Sequence, residues 1–239
     1  MIFSYHDAHQ PPSEQQLKEL VKYREGFVSQ SEYDAWLLKL KNQPLCFSLC
    51  TSDDSPQGEI AGYVSARFTL QLDDNWCEKT LAIKQQHRDS ALCHRIISQT
   101  NSAAYSWDEI NQTHWSSAAL GQGVLSLVYI EVNDQFRGQG LSARLISHLL
   151  RQVHERYGLN YSVAYGRLTG FTGDALHDYI DRQVDSTGLH QDWGVRFHQQ
   201  AGARLICGIE ECAVGDVKSL GCGHLSLYDI KNILNRTTK

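Results

Sequence analysis

Apolar residues along the chain follow two different periods, and the switches between them predict an order of elements. Over 14–42, EQQLKELVKYREGFVSQSEYDAWLLKLKN, Leu17, Leu20 and Val21 share a helical face. Tyr33, Trp36 and Leu37 repeat it, which predicts two helices, the second beginning near Ser31. LCFSLCTS (45–52) and IAGYVSARFTLQL (60–72) read as strands. The turn between them is built from Asp, Ser, Pro and Gly, so the pair reads as an antiparallel hairpin. A further helix is expected at 80–98, then a polar connection through Trp107 and His114.

From 123 onward the pattern sharpens. GVLSLVYIEV (123–132) is β-branched, aromatic and almost continuously apolar, which predicts a central strand buried on both faces. The next segment, 141–156, carries Leu141, Leu145, Leu149 and Val153 on one stripe with Ile146 and Leu150 beside it, an amphipathic helix. LNYSVAYGRL (159–168) predicts another strand, and WGVRFHQQAGARL (193–205) a short helix ended by Gly202. ARLICGIEE and CGHLSLYDI supply two closing strands. With no internal repeat or low-complexity linker, the reading is one domain over 1–239, with an insertion-like segment at about 73–121.

Composition narrows the function. A chain of 239 residues that is 41% apolar can bury a sizeable core. Its net charge of -5, without a run of Lys or Arg, argues against a nucleic-acid partner, which needs a basic stripe. No apolar run approaches the roughly 18–20 residues that span a bilayer, and no basic-then-apolar leader opens the chain, so no membrane association is expected. The seven cysteines (46, 50, 77, 93, 207, 212 and 222) form no CxxC pair, so reduced thiols in a cytoplasmic protein are expected. His87, Cys93 and His94 lie near one another without a clear fourth ligand, and no metal site is expected.

The chemistry concentrates in VNDQFRGQGLSARL (132–145), a glycine-rich elbow between strand and helix. Gly138 to Ala143 satisfies G-x-G-x-x-A, yet five residues, Asn133 to Arg137, delay the first glycine, and SVAYGR offers no acid for a ribose. A nucleotide P-loop fails because no lysine follows Gly140. Gln135-Phe136-Arg137-Gly138-Gln139-Gly140 instead fits Q/R-x-x-G-x-G/A, and here the chain resembles the GCN5-related N-acetyltransferase (GNAT) superfamily. The resemblance implies an α/β (α+β) fold: a mixed, mostly antiparallel sheet of six to seven strands flanked by helices, with a V-shaped splay at its central strands. It implies a coenzyme A (CoA) diphosphate cradle made from Gln135, Phe136, Arg137, Gly138, Gln139, Gly140, Leu141 and Ser142. Backbone N–H groups and the positive end of the 141–156 helix would converge on the phosphates. Main-chain groups of Ile130 and Val132 would face the pantetheine arm. The co-substrate would be acetyl-CoA or another acyl-CoA.

Sixty residues on, Phe197-His198-Gln199-Gln200-Ala201-Gly202-Ala203 matches a GNAT helix end whose tyrosine can protonate the departing thiolate. His198 stands in the tyrosine's place and would give a proton more readily near neutral pH. More of the chain, roughly 105–230, resembles the branch holding the GNAT-like domains of polyketide synthase loading modules. The matching pieces are Trp107 to Asn111 with His114, the elbow, Arg196 to Ala203 and Ser219 to Gly223. That branch is associated with malonyl decarboxylation or acyl transfer to a carrier thiol, and leans on a threonine, a histidine and an arginine. Only His198 is retained: the threonine's place falls near Gly166 and the arginine's near Ala213. Plain acyl transfer to an amine of a small molecule or peptide is therefore the leading expectation. Transfer or decarboxylation serving an acyl carrier protein stays open, as does a non-catalytic CoA sensor. Glu131 or His114 would act as general base. The acceptor would be read by 73–121 and 170–192, the least core-like stretches.

Overall fold

A computed structural model of the chain describes residues 1–7, 10, 13, 16, 45–52, 59–69, 124–173, 175–182, 184–210, 212 and 215–237. The expected helices within 14–42 and at 80–98, the insertion-like 73–121 and His114 lie outside them, apart from isolated positions. Two of those, Ser13 and Gln16, exchange hydrogen bonds of 2.8 and 3.2 Å in the reciprocal manner of a capping box.

The strands are β1 (Ile2–His6), β2 (Leu45–Thr51), β3 (Ile60–Thr69), β4 (Val124–Val132), β5 (Tyr161–Arg167), β6 (Arg204–Ile209) and β7 (Gly223–Asp229). They form one mixed sheet of seven strands in the order β1-β2-β3-β4-β5-β7-β6. Of the pairings described, β4–β5 is parallel and the others are antiparallel. The helices are α1 (Leu141–Tyr157), α2 (Leu176–Arg182), α3 (Trp193–Gln200) and α4 (Ile230–Thr237). The expected hairpin is β2–β3; β1, α2 and α4 carry too few periodic residues for pattern alone to find them.

Chain contacts divide the described residues into two compact units. The first holds β1, β2, β3, the end of β4 from Leu127, and α1. There α1 buries Leu141, Leu145, Ile146, Leu149, Leu150 and Val153, the six positions its periodicity marks, each stabilising by about 2 kcal/mol. Gly158 ends α1 in the left-handed conformation (φ 69°), its N–H donating to His154 O. Asp7, 1% exposed, accepts from the Tyr157 hydroxyl and ties the end of α1 to the residue after β1.

The second unit holds the start of β4, β5, β6, β7 and helices α2 to α4. β5 and β7 pair over seven positions, from Tyr161↔Asp229 to Arg167↔Gly223. In that register Ser162, Ala164 and Gly166 of β5 lie opposite Tyr228, Ser226 and His224 of β7. Paired residues share a face, so small β5 side chains make room for bulky polar ones on β7.

Three expectations need correction. The strand at 123–132 is not buried throughout: Leu125 and Leu127 are buried, but Val128 is 45% and Tyr129 37% exposed. Its ladder with β5 covers two pairs, Leu125↔Ser162 and Ser126↔Val163, so its apolar run serves two environments in turn. The stretch 170–192 is not peripheral either, because Phe171, Tyr179 and Ile180 join Leu168, Val195, Leu205 and Cys222 in a buried cluster. Finally, Cys46, Cys50, Cys212 and Cys222 are free, but Cys207 on β6 is disulfide-bonded, so the thiols are not all reduced. No described helix is long and apolar enough to cross a membrane.

Candidate active site

The elbow belongs to the first unit. After β4 the chain makes a single 3-10 turn, Asp134–Phe136, before α1. Asn133 starts that turn: its N–H donates to Ala61 O (2.9 Å), and its side-chain oxygen accepts from Gln135 N (3.4 Å). Glu59, next to β3, accepts from Asn133 Nδ2 (3.1 Å) and Gln135 Nε2 (2.9 Å), one carboxylate oxygen each. The turn is thereby pinned to β3. Gly62 lets it lie close, since a Cβ there would meet Glu131 O at 2.8 Å and Leu145 Cδ1 at 3.2 Å. Glu59, Gly62 and Asn133 had no motif to mark them; their roles arise from contacts with residues some seventy positions away.

The structure splits the predicted cradle in two. The amides of Gln135, Phe136 and Arg137 are spent inside the turn, on Asn133 Oδ1, Asn133 O and Asp134 O. Arg137 donates from Nε to Val132 O (3.3 Å) and pairs with Asp134 (2.8 Å), with both side chains largely in solvent. Gly138 and Gly140 then adopt the left-handed conformation, with φ of 77° and 69°. There glycine is the residue without a steric penalty. A Cβ at either would meet nothing within 4 Å, so the ground before both glycines is open. Gly140 is the N-cap of α1 and offers no side-chain acceptor. The first-turn amides of α1 therefore point out of the helix without an internal partner, beside its positive end. Such an arrangement could hold an anion, and it is made almost wholly of main chain.

Ile130, Glu131 and Val132 are half-buried at the end of β4. Glu131 accepts from the Tyr129 hydroxyl at Oε2 (2.9 Å). The Tyr129 ring stacks on Tyr63, at 5.6 Å and 30°. The carboxylate is thus oriented, and among the described residues its other oxygen has no hydrogen-bond partner.

His198 belongs to the second unit, on α3. Asp192, 3% exposed, caps that helix by accepting from Gly194 N (2.9 Å) and Val195 N (3.4 Å). The same carboxylate accepts from Gly170 N (2.8 Å) and Tyr179 Oη (2.9 Å). His190, fully buried, accepts from Asp192 N at Nδ1 (2.9 Å), and its own N–H donates to Gln199 Oε1 (2.7 Å). Both ends of α3 are so held, and the 170–192 stretch positions the helix.

Across α3 stand the β7 side chains. His198 Nδ1 lies 2.7 Å from the Tyr228 hydroxyl, and its ring meets that of His224 edge-on at 5.4 Å. His224 is fully buried; Nδ1 lies 3.1 Å from Ser226 Oγ, and Nε2 has no partner among the described residues. That nitrogen lies between two glycines with ordinary φ. A Cβ at Gly166 would be 3.1 Å from it and 3.9 Å from His198 Nε2, and one at Gly194 3.6 Å from it. These glycines are needed for space. Burial pushes the His198 imidazole down to about 4 and holds His224 well below its usual range, while it raises the Tyr228 phenol. At neutral pH both imidazoles are uncharged and the phenol keeps its proton. The ready imidazolium donor expected at position 198 is not the resting form.

Two nearby cations are paired: Arg196 with Asp185 (2.7 Å) and Arg167 with Asp216 (3.6 Å). Among the described residues no cluster of His, Cys, Asp or Glu is placed to hold a metal ion.

No protein-family model matches the chain, and no curated protein is similar to it. Solved structures are. The loading GNATL domain of CurA from Lyngbya majuscula is 18% identical, with a TM-score of 0.58 over 97% of this chain and 100% of that one. The GphF GNAT-like decarboxylase in complex with isobutyryl-CoA is 14% identical, with a TM-score of 0.55 over 96% and 100%. NAA60 of Arabidopsis thaliana in complex with a bisubstrate analogue is 12% identical, with a TM-score of 0.52 over 95% and 97%. With the strand order, the elbow and α1 already in place, the chain has the fold of the GNAT acyltransferases.

Proposed function

We propose that this protein is an acyl-CoA-dependent acyltransferase, and most directly one that moves an acetyl group from acetyl-CoA to an amine of a small molecule or peptide. The observation that carries the reading is the left-handed Gly138 and Gly140 elbow opening onto the uncapped start of α1. The fit is chemical: a diphosphate needs several convergent donors, and the amides from Gly138 to Ser142 are the ones the turn leaves over. Gln135, Phe136 and Arg137 shape the elbow, and the main chain of Ile130 and Val132 faces the pantetheine arm. Similar folds bound to isobutyryl-CoA and to a bisubstrate analogue support this choice of co-substrate.

Bound acyl-CoA supplies an activated thioester. Glu131, oriented by Tyr129, takes a proton from the acceptor nitrogen directly or through water. His198 is retained as the candidate that serves the departing thiolate. His114 is retained as an alternative base.

A second reading is thiol-directed transfer or malonyl decarboxylation serving an acyl carrier protein. It is favoured by the likeness to a loading domain and to a decarboxylase. Against it, Gly166 provides no hydroxyl, and Arg167 and Arg196 are paired with carboxylates.

Incubation with acetyl-CoA or malonyl-CoA and a panel of amines, peptides and a phosphopantetheinylated carrier protein, read by mass spectrometry, separates these outcomes. Acetylated amine is the expected product. Carbon dioxide release, or acyl-carrier product alone, would replace the first reading with the second. CoA binding without turnover would make the protein a sensor.

A further inference from the structure

We infer that a cleft between the start of β5 and the outer face of α4 binds a small, uncharged, polyhydroxylated ligand of monosaccharide size, held by Asn160, Asp229 and Asn232. The cleft lies wholly within the second unit and takes no part in the acyl transfer proposed above. It includes Tyr161, five positions before Gly166 along β5, so roughly 16 Å of strand separates it from the histidine cluster.

Strand register and helical period build the site together. Tyr161 and Asp229 are paired at the end of the β5–β7 ladder and so share a face. β7 passes into α4 without a loop: Asp229 closes the strand and Ile230 opens the helix. Asp229 Oδ1 caps that helix by accepting from Asn232 N (3.1 Å). Ile230 N donates to Asn160 O (2.9 Å), which ties the helix start to the residue before β5. Ile230 and Ile233 are buried, so the helical period leaves Lys231, Asn232 and Asn235 exposed on the other side. With Asn160, Tyr161 and Asp229 these three line a cleft of about 460 Å³, within the range of small-ligand sites.

The lining selects the class of ligand. Every lining residue carries a polar group, so an apolar guest would leave donors and acceptors unpaired. Lys231 and Asp229 bring one charge of each sign, so neither a simple anion nor a simple cation meets a matched site. The positive end of α4 does not favour an anion either, because the Asp229 carboxylate already stands there and takes the Asn232 amide. Three asparagine amides donate and accept in equal measure, as neighbouring hydroxyls do. Asn160 adds an independent sign: its Oδ1 is buried yet has no hydrogen-bond partner among the described residues. No bond holds that oxygen inward, and the last torsion of an asparagine is soft, so the amide turns to meet a hydroxyl in the cleft.

In the bound form, vicinal hydroxyls donate to Asp229 Oδ2 and Asn160 Oδ1 and accept from the Lys231 ammonium and the Asn232 amide. Binding exchanges water for these hydrogen bonds and makes or breaks no covalent bond. Each exchange is worth little net, so a free monosaccharide binds weakly and reversibly. The helix need not move to receive it, because its inner face is closely packed: a Cβ at Gly202 would meet Ile233 Cγ1 at 3.0 Å.

The test is an NMR titration of the full-length, 15N-labelled protein with D-glucose, D-ribose and myo-inositol in turn, and with sodium phosphate and glycine as charged controls. Saturable shifts of the Asn160, Asn232 and Asn235 side-chain amides are expected with at least one of the three polyols, while the Gly138 and Gly140 amides stay unmoved. Asn232→Ala, at an exposed position, should weaken that binding about ten-fold. Asp229→Asn keeps a capping side chain on α4 but removes the charge, and should weaken it by about as much. Resonances far from the cleft report whether each variant stays folded. No saturable shift with any of the three polyols, stronger shifts with phosphate or glycine, or unchanged affinity in either variant would overturn the inference. The titration needs neither CoA nor turnover, so its outcome is independent of the acyltransferase reading.

Discussion

The elbow and the histidine cluster are built from opposite materials. The elbow is exposed main chain whose donors are amides, and the residues from Asp134 to Gly140 are chosen mainly for backbone conformation. The cluster is buried side chain: His198, His224, Ser226 and Tyr228 from a helix and a strand, with two glycines clearing space. An anion site that must take a doubly charged group from water can be made of open amides. A site that must act on small changes of charge at one atom gains from a dry setting, where a fixed dipole is worth more. The two regions should therefore fail differently when altered: the elbow in affinity, the cluster in turnover and stability.

The most damaging change should be at the elbow. Gly138→Val with Gly140→Val places β-branched residues at two left-handed positions, at roughly 1–2 kcal/mol each. CoA affinity should fall on the order of 100-fold, since the amides leave their alignment. Calorimetry with CoA measures this, and an unchanged affinity would remove the elbow from the binding site.

Next comes Asp192→Ala, which deletes a helix cap together with bonds to Gly170 and Tyr179. It should cost about 3 kcal/mol of stability in denaturant unfolding, and lower turnover by loosening α3. Gly166→Ala is milder. Its methyl would lie 3.1 Å from His224 Nε2, so about 1–2 kcal/mol and a several-fold fall in kcat are expected with CoA affinity unchanged. A loss of affinity instead would erase the contrast between the regions.

The smallest effect is in pH. His198 is depressed by burial to about 4 and His224 is lowered as well, so the unfolded chain binds protons that the folded chain refuses. Stability from these groups is complete above about 6.5, the unfolded value, and drains as pH falls toward 4. His198→Gln should flatten that decline in thermal melts taken across the window. An unchanged slope would mean that the ring is charged already.

The same contrast explains what could be read in the letters. Gly138, Gly140 and the stripe of α1 are local requirements, a sign of φ or a period of 3.6, and both survive as pattern. Hence the glycine elbow and the 141–156 helix were legible. Position 198 stood out through its motif, but its partners did not: His224, Ser226 and Tyr228 become neighbours of α3 only through the β5–β7 register. Nothing in CGHLSLYDI says that its alternate polar residues face a helix rather than solvent. The apolar run of β4 misled for a related reason, because continuous hydrophobicity reports burial somewhere along a strand and cannot mark where it ends. In 170–192 the polar letters Asp192 and His190 concealed a buried network, since a buried carboxylate with four donors looks, in sequence, like an exposed one.

The central claim is that the elbow binds CoA, and titration calorimetry of the unaltered protein with CoA and, separately, NAD addresses it most directly. A saturable single-site isotherm with CoA that is lost in the Gly138→Val, Gly140→Val variant, and no heat with NAD, is the predicted result. Binding of NAD with none of CoA would contradict the account at its foundation.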